Sequence, residues 1–285
     1  MSTIDITILR MVAAYGLLIP PLAVFLWLGT PKLGRLAIAV LRMTVQLLFV
    51  GLYLQVVFRM NSPWLTALWL MVMIVVADVS IIRASDLRLR RLAAPVFVSL
   101  LTGTSIPMLV FVGLLLGRPN VMDAQYAIPI SGMILGNCLR ADIIGIRGFF
   151  TAIRVERKPF ELTLAQGAAL GEAIHPYVVR AVRDALAPTI ASIATIGLVA
   201  LPGMMTGAML GGVAPIVAIK YQIAIMLAIL CGTSLTVVSA LLLSRRNGFT
   251  SYGILDESIF RESEPRRLGR LRGWLERLGG RKASP

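Results

Sequence analysis

The amino-acid sequence predicts an all-α, polytopic integral membrane protein with about seven transmembrane helices. Of its 285 residues, 57% are hydrophobic and only 15% are charged, and the mean hydropathy is +0.83. An ordinary globular domain is about 45–50% apolar and about 25% charged, and a water-soluble sphere of this size could not cover so much apolar surface. We expect residues 1–245 to form a transmembrane permease domain and residues 246–285 to form a basic tail.

Seven apolar stretches come close to the ~20 residues that cross ~30 Å of hydrocarbon as a helix. Pro20 and Pro21 should kink the first stretch, because proline removes a backbone donor inside a helix. Pro188 and Pro202 make the sixth stretch the least regular. The predicted spans are 6–28, 36–58, 64–83, 94–116, 126–150, 186–210 and 216–243.

The distribution of basic residues predicts the orientation of these spans. Of the 28 Lys and Arg residues, 22 fall in one set of alternating loops and the tail, whereas only Arg59 and Arg118 fall in the opposite set. The positive-inside rule therefore places the amino terminus outside and the carboxyl terminus in the cytoplasm of a bacterial inner (plasma) membrane. Because topology explains the net charge of +14, and long uncharged stretches do not suit a nucleic-acid surface, no nucleic-acid partner is expected.

The basic tail has its own pattern. From Arg266 to Lys282, arginines alternate with leucines and Trp274 at a helix-like spacing. One interpretation is a basic amphipathic helix that lies on anionic lipid headgroups. The other is a solvated tail that is partly disordered.

Residue usage argues against an enzyme. The two cysteines, Cys138 and Cys231, lie in apolar runs and are expected to be core side chains. A single histidine, His175, excludes a histidine-rich metal cluster. No phosphate-binding loop, zinc-protease motif or nucleophile elbow is present. We therefore expect no catalytic residue and no cofactor in this chain.

Arg42 and Gln46 stand in the second span at a spacing that places both on one helix face. An arginine in the membrane costs at least ~2.5–3.5 kcal/mol, so it should face protein or water. Asp78 and Asp142 are candidate counter-ions. The alternatives are a structural ion pair and a place on a substrate path.

A second polar block occurs in the fifth span. Gly132 and Gly136 form a G-x-x-x-G pattern that allows close helix packing, and Pro129 frees a backbone carbonyl. Met133 and Asn137 could line a cation path, although packing alone also explains the pattern.

Pro202 and Gly203 should break the sixth span and leave carbonyl groups to be satisfied by a partner, water or an ion. Met204 and Met205 would suit a soft ion such as Cu(I) and are poor ligands for hard iron, so a hinge or gate is favoured over a metal site. Lys220 either extends to the headgroups or lies at an outer gate.

The segment of residues 151–185 is too polar to span the membrane. Its centre predicts a short amphipathic helix that ends at a glycine, which is typical of a docking element for a partner groove. The residues expected to couple the chain to that partner are Glu161, Leu162, Leu164, Gly167 and Ala168.

Taken together, these blocks resemble the FetB (YbbM-like) family of permease subunits from iron-exporting ABC transporters, to which the plant STAR aluminium-tolerance permeases are related. The resemblance implies a partner ATP-binding subunit that holds ATP and Mg, a homodimer of permeases, metal transport, and a coupling-helix role for residues 161–168. It covers about residues 36–244. The blocks that carry it are Arg42-x3-Gln46, Ile128-Pro-Ile-x-Gly-Met-x3-Asn137, the Leu-x-Leu-x2-Gly-Ala segment, Gly197-Leu-Val-x-Leu-Pro-Gly-Met-Met-x-Gly207 and Ala218-Ile-Lys-Tyr-Gln222.

Three other functions remain open from the residues. A stand-alone secondary transporter or channel would rely on buried carboxylates such as Asp78 and Asp142. A membrane enzyme would need a convergent set of polar groups, which one histidine does not provide. A scaffold would show no solute-dependent ATPase stimulation. The residue pattern encodes neither the substrate, nor the direction of transport, nor any metal ligand.

Overall fold

The computed structural model describes residues 7–29, 33–250 and 252–261, and helices account for nearly all of them. The amino-terminal part consists of α1 (Ile8–Ala14), a 3-10 turn (Tyr15–Leu18), α2 (Ile19–Trp27), α3 (Leu33–Met60), α4 (Pro63–Ala84) and α5 (Leu89–Leu109), which continues as a π-helix (Val110–Leu115). The rest consists of α6 (Ala124–Val155), α7 (Arg157–Ala165), α8 (Leu170–Thr195), α9 (Gly203–Leu210), α10 (Pro215–Gly248) and a 3-10 turn (Glu257–Ile259).

Within the described residues, six helical stretches are long and apolar enough to cross a membrane. This confirms the all-α membrane class. The stretches are Leu9–Trp27, Leu36–Met60, Pro63–Ala84, Leu89–Leu115, Ala124–Val155 and Pro215–Gly248.

The region predicted as a sixth span with a break at Pro202 and Gly203, 186–210, is two helices. Helix α8 ends at Thr195 and α9 begins at Gly203. Gly197, with a φ of 85°, turns the chain between them and donates to the Ala200 carbonyl at 2.9 Å. Seven spans and their orientation therefore stay predictions.

The first span is interrupted one turn before Pro20 and Pro21, not at the prolines themselves. Pro20 and Pro21 are the second and third residues of α2, and the 3-10 turn comes directly before it. Both prolines lack the N–H that would bond to the preceding turn of an α-helix. That turn tightens, and the span is interrupted at Tyr15–Leu18.

Helices α4, α5, α6, α8 and α10 form the buried core. The closest crossing joins α5 to α10, where a Cβ on Gly232 would lie 2.8 Å from the carbonyl oxygen of Gly103 and 2.7 Å from Cγ2 of Ile134. Only glycine allows this approach. By contrast, α1 to α3 expose most of their described side chains, and α3 is held mainly at its far end, where the rings of Tyr53 and Trp69 stack at 4.2 Å.

A strap of residues 249–261, of which Ser251 is not described, follows α10 and returns along the end of the bundle that carries α7. Leu87 in the α4–α5 turn pairs antiparallel with Phe260 of the strap. Residues 262–285 lie outside the described residues, and so does the helix predicted within them.

Candidate coupling helix and distal cavity

Helix α7 is the predicted docking helix, and one aromatic side chain anchors it. Phe160 is 1% exposed, and its ring lies 6.0 Å from the ring of Tyr177 on α8 and 5.8 Å from that of Phe249 on the strap. Burying an aromatic side chain of this size dominates the energy of such a contact. The helix is therefore fixed to both neighbours through its inner face.

Gly167 ends α7 as the sequence predicts. Its φ is 94°, a conformation that favours glycine, and its N–H donates to the Leu164 carbonyl at 3.0 Å. The N–H of Ala169 donates to the Glu172 carboxylate at 2.9 Å at the start of α8. The chain thus reverses sharply between the two helices.

The two leucines of α7 point in different directions. Leu162 is 59% exposed, whereas Leu164 is half-buried against the core. A Cβ on Gly253 of the strap would lie 3.5 Å from Cδ1 of Leu164. The prediction that Leu164 belongs to the docking surface therefore finds no support in its position, because the strap already covers it. Leu162 is the large apolar side chain that α7 exposes.

Glu161 already has an ion partner within its own helix. Its Oε1 lies 2.7 Å from Nε of Arg157, and this hydrogen bond raises the pKa of Arg157. Beside α7, Arg180 pairs with Glu156 at 3.3 Å across a cleft of about 270 Å³ between α6 and α8. Burial raises the pKa of Tyr177 in that cleft, and Glu156 adds to the effect. The surroundings of α7 are rich in exposed basic groups.

A cavity of about 390 Å³ lies at the opposite end of the bundle, between the first turns of α6, helix α9 and the first turns of α10. We call it the distal cavity. Because α6 has 32 residues, the cavity lies about 40 Å from α7. Its lining is Gln125, Tyr126, Pro129, Ile130, Met204, Met205, Ala208, Val213, Val217, Ala218, Tyr221 and Gln222.

The polar groups of the distal cavity are uncharged. Two amides and two phenols line it, and the side chain of Gln222 is buried with an Oε1 that accepts no hydrogen bond from the described residues. Met204 and Met205 add thioethers. Arg118 lies beside the cavity, because it donates to the Tyr126 hydroxyl at 2.7 Å and its guanidinium lies 4.8 Å from that ring's centre. The described residues contain no group of three or more His, Cys, Asp or Glu side chains placed to hold a metal ion.

The sequence predicted only part of this cavity. It singled out Met204 and Met205 together with the helix break at Pro202 and Gly203, and α9 does begin at Gly203. It did not assign a role to Gln222, although an amide in an apolar span was the available signal. The contribution of Tyr126 depends on how α6 meets α10, which the sequence pattern does not reveal.

Met133 and Asn137 lie elsewhere. Neither lines the distal cavity, and Asn137 donates to the Met133 carbonyl at 2.8 Å within α6. A Cβ on Gly132 would lie 3.3 Å from Met73 on α4, whereas Gly136 has no such neighbour within 4 Å. Of the two glycines in the predicted close-packing motif, Gly132 therefore contacts a neighbouring helix and Gly136 does not.

Of the two alternatives for Arg42, the structural ion pair is not found among the described residues, and a place on a substrate path stays a prediction. Arg42 and Gln46 are exposed on α3, whereas Asp78 and Asp142 are buried in the core, and no ion pair within 4.0 Å joins them. Neither oxygen of Asp142 accepts a well-formed hydrogen bond from the described residues, although the Thr236 side chain is close. The i, i+4 spacing fixed the helix face of Arg42, but it could not show that α3 stands outside the core.

Lys220 is also separate from the distal cavity. It is exposed and borders another groove, of about 460 Å³, formed by α5, its π-helical extension and α10. The rest of that groove is apolar apart from the thiol of Cys231. The distal cavity thus contains Met204 and Met205 but neither Lys220 nor Arg42.

The fold defines a multi-pass helical membrane protein, and comparison with known sequences gives its family. Residues 8–249 match the uncharacterised protein family UPF0014, and the chain belongs to that family. It is 34% identical to the UPF0014 membrane protein slr1647 of Synechocystis, over 79% of this chain and 86% of that protein.

Two further relatives carry names that refer to a metal. The chain is 31% identical to the Arabidopsis thaliana protein named ALUMINUM SENSITIVE 3, over 80% of this chain and 82% of that protein. It is 30% identical to the Escherichia coli protein named "Probable iron export permease protein FetB", over 74% of this chain and 80% of that protein. No solved structure matches the chain.

Proposed function

We propose that this chain is the permease subunit of an ABC transporter in a bacterial inner membrane, which exports a metal with energy from a separate ATP-binding subunit. The observation that carries the proposal is α7, a short helix with its inner face anchored at Phe160 and an exposed Leu162 beside basic residues. A relative named as an iron export permease supports it. ATP and Mg would be bound by the partner subunit.

The structure offers a direct route from α7 to the distal cavity. Tyr177, near the start of α8, contacts Phe160, and α8 runs about 27 Å from Tyr177 to Thr195, after which the break leads into α9. Met204 and Met205 on α9 line the distal cavity. When the ATP-binding subunits close on ATP, a displacement of α7 would tilt α8 and move α9 against α10. The break at 196–202 would act as the hinge.

A homodimer would cover the exposed amino-terminal helices. Arg42 lies nine residues into α3 with an exposed side chain and no ion partner among the described residues. An arginine in this setting should face protein or water rather than lipid. We therefore propose that the α3 helices of two copies face each other and that Arg42 and Gln46 border the path between them.

The lining of the distal cavity constrains how a metal would cross it. Two thioethers and uncharged oxygens are weak ligands for iron, and Arg118 beside Tyr126 opposes a free cation. We propose that the metal moves through this cavity with part of its own ligand shell. Weak binding of this kind suits transport, which requires release as well as binding.

The docking role of α7 is tested by Leu162→Asp in the chain co-expressed with its proposed ATP-binding subunit. A charge at the centre of an apolar contact typically costs more than 2 kcal/mol, so co-purification and coupled ATPase activity should fall about tenfold or more. The matched control is Leu114→Asp, at a side chain that is 79% exposed at the opposite end of the bundle and outside the proposed hinge. Undiminished complex formation in Leu162→Asp would overturn the proposal.

One observation favours a second candidate, a stand-alone secondary transporter. Asp142 is fully buried among membrane helices without a basic partner among the described residues, and such carboxylates often serve proton or ion movement. Purified chain in liposomes distinguishes the two. Gradient-driven flux without any ATP-binding subunit, abolished by Asp142→Asn, would favour the secondary transporter.

A further inference from the structure

The strap joins parts of the chain that are far apart in sequence, and its backbone pairs with the α4–α5 turn. The N–H of Arg88 donates to the Ile259 carbonyl at 2.8 Å, and the N–H of Arg261 donates to the Asp86 carbonyl at 2.8 Å. Leu87 and Phe260 form the bridge between these two bonds. The end of the strap is therefore a short antiparallel extension of the turn.

Side chains reinforce this attachment. Arg91, at the start of α5, pairs with Asp256, and its carbonyl accepts a hydrogen bond of 2.7 Å from the Asn247 amide of α10. Asp256 also accepts bonds from the N–H and the hydroxyl of Ser258 at 2.9 and 2.6 Å. The N–H of Asp256 donates to the carbonyl of Gly248, the last residue of α10, at 3.0 Å, so the strap is held to both α5 and α10.

The opposite side of the strap contacts the α6–α7 corner through Glu257. One carboxylate oxygen lies 3.3 Å from Nε of Arg154 on α6, and the other lies 3.5 Å from Nη1 of Arg157 on α7. Arg157 bonds in turn to Glu161, and the guanidinium of Arg154 lies 4.4 Å from the centre of the Phe260 ring. A single exposed pair contributes at most about 1 kcal/mol, but these five groups form one connected network.

We propose that the strap transmits the displacement of α7 to the α4–α5 turn, with Glu257 as the positioning residue. The inference rests on the proposed function, since it assumes that a partner moves α7. Helix α7 packs against α6 and α8, and the strap adds a connection to a second pair of core helices. A push on α7 therefore reaches α8 directly and α4 and α5 through Glu257, so that both sides of the bundle move together.

The first experiment uses the purified chain alone and measures amide hydrogen exchange. Glu257→Gln keeps the size of the side chain and removes its charge. Exchange at the amides of Arg88 and Arg261 should accelerate by about 2- to 30-fold, the range for a connection of 0.5–2 kcal/mol. The matched control is Asp184→Asn, whose ion pair with Arg183 lies within α8, and it should leave both amides unchanged. Unchanged exchange in Glu257→Gln would overturn the positioning role.

The second experiment measures coupling in the complex with the ATP-binding subunit. Glu257→Gln should keep complex formation and ATP hydrolysis, while transport per ATP falls by about 2- to 30-fold. The charge-conserving variant Glu257→Asp should keep most of the transport per ATP, because it retains the carboxylate that faces Arg154 and Arg157. Normal transport per ATP in Glu257→Gln overturns the strap's role alone. Failure of the unmodified chain to bind the ATP-binding subunit overturns the proposed function, and the strap's coupling role with it.

Discussion

The two ends of the bundle are built from different interactions. At the α7 end, charged pairs connect the strap to α5, α6 and α7, and aromatic rings fill the space beneath. At the distal end, a cavity of about 390 Å³ is lined by amides, phenols and thioethers, and a helix break lies beside it. In the proposed function, the first end would receive the force of the ATP-binding subunit and the second would change shape around the solute.

The two ends also differ in the space available around a glycine. At the α7 end, a Cβ on Gly248 would lie 2.6 Å from Cε1 of Phe150 and 3.3 Å from Cδ1 of Ile259. At the distal end, a Cβ on Gly207 would meet nothing within 4 Å. Packing is therefore tighter around Gly248 than around Gly207.

The largest effect should follow from overfilling the α7 end. Gly248→Val has no room beside Phe150 and should lower the free energy of unfolding by about 1–3 kcal/mol, the typical cost of overpacking. The same change in Gly207→Val should cost less than about 0.5 kcal/mol. Thermal unfolding of the purified chain in detergent measures both. Equal loss in the two variants would contradict the comparison of the two ends.

A smaller effect on stability, but a clear one on transport, is expected from filling the distal cavity. Val217 lines the cavity and is 41% exposed, so Val217→Phe should fold, occupy the space and lower export about tenfold while the complex with the ATP-binding subunit still forms. Ile219→Phe is the matched control, because Ile219 is 37% exposed and lies outside the lining. Metal export into inverted vesicles is the readout. Unaltered export in Val217→Phe would remove the distal cavity from the path.

The smallest expected effect concerns the pH dependence of the strap. Hydrogen bonds from Ser258, with help from Arg91, lower the pKa of Asp256 from 3.8 to about 2. Because the folded pKa is depressed, the carboxylate stabilises the strap fully above about pH 4, and this contribution is lost as the pH falls toward 2. Asp256→Asn should lack it at every pH.

Tyr252 is exposed, so Tyr252→Cys allows a fluorophore to be attached to the strap. The anisotropy of that fluorophore reports the mobility of the strap. The anisotropy should fall between pH 4 and 2 in the chain with Asp256, and should lack this step in Asp256→Asn. An identical step in both chains would show that another group holds the strap.

Sequence reasoning reached the membrane class, the break before Gly203 and the short helix ending at Gly167, because each depends on local composition or on proline and glycine. It did not predict contacts between elements that are far apart in the sequence. The Gly103–Gly232 crossing has no local signature, and Leu164 is covered by a strap whose return path only the fold reveals. Arg42 shows the same limit, since helical spacing gives a face but not the neighbour of that face.

The most direct test of the account is a cysteine-accessibility measurement on vesicles of known orientation. Leu162→Cys and Leu198→Cys, in a chain with Cys231→Ser, are labelled with a membrane-impermeant maleimide, with and without the ATP-binding subunit. Position 162 should be labelled in inverted vesicles and protected by that subunit, whereas position 198 should be neither labelled there nor affected. Labelling of position 162 only from the outer side, or its full labelling in the presence of a bound ATP-binding subunit, would contradict the claim that α7 is the coupling helix.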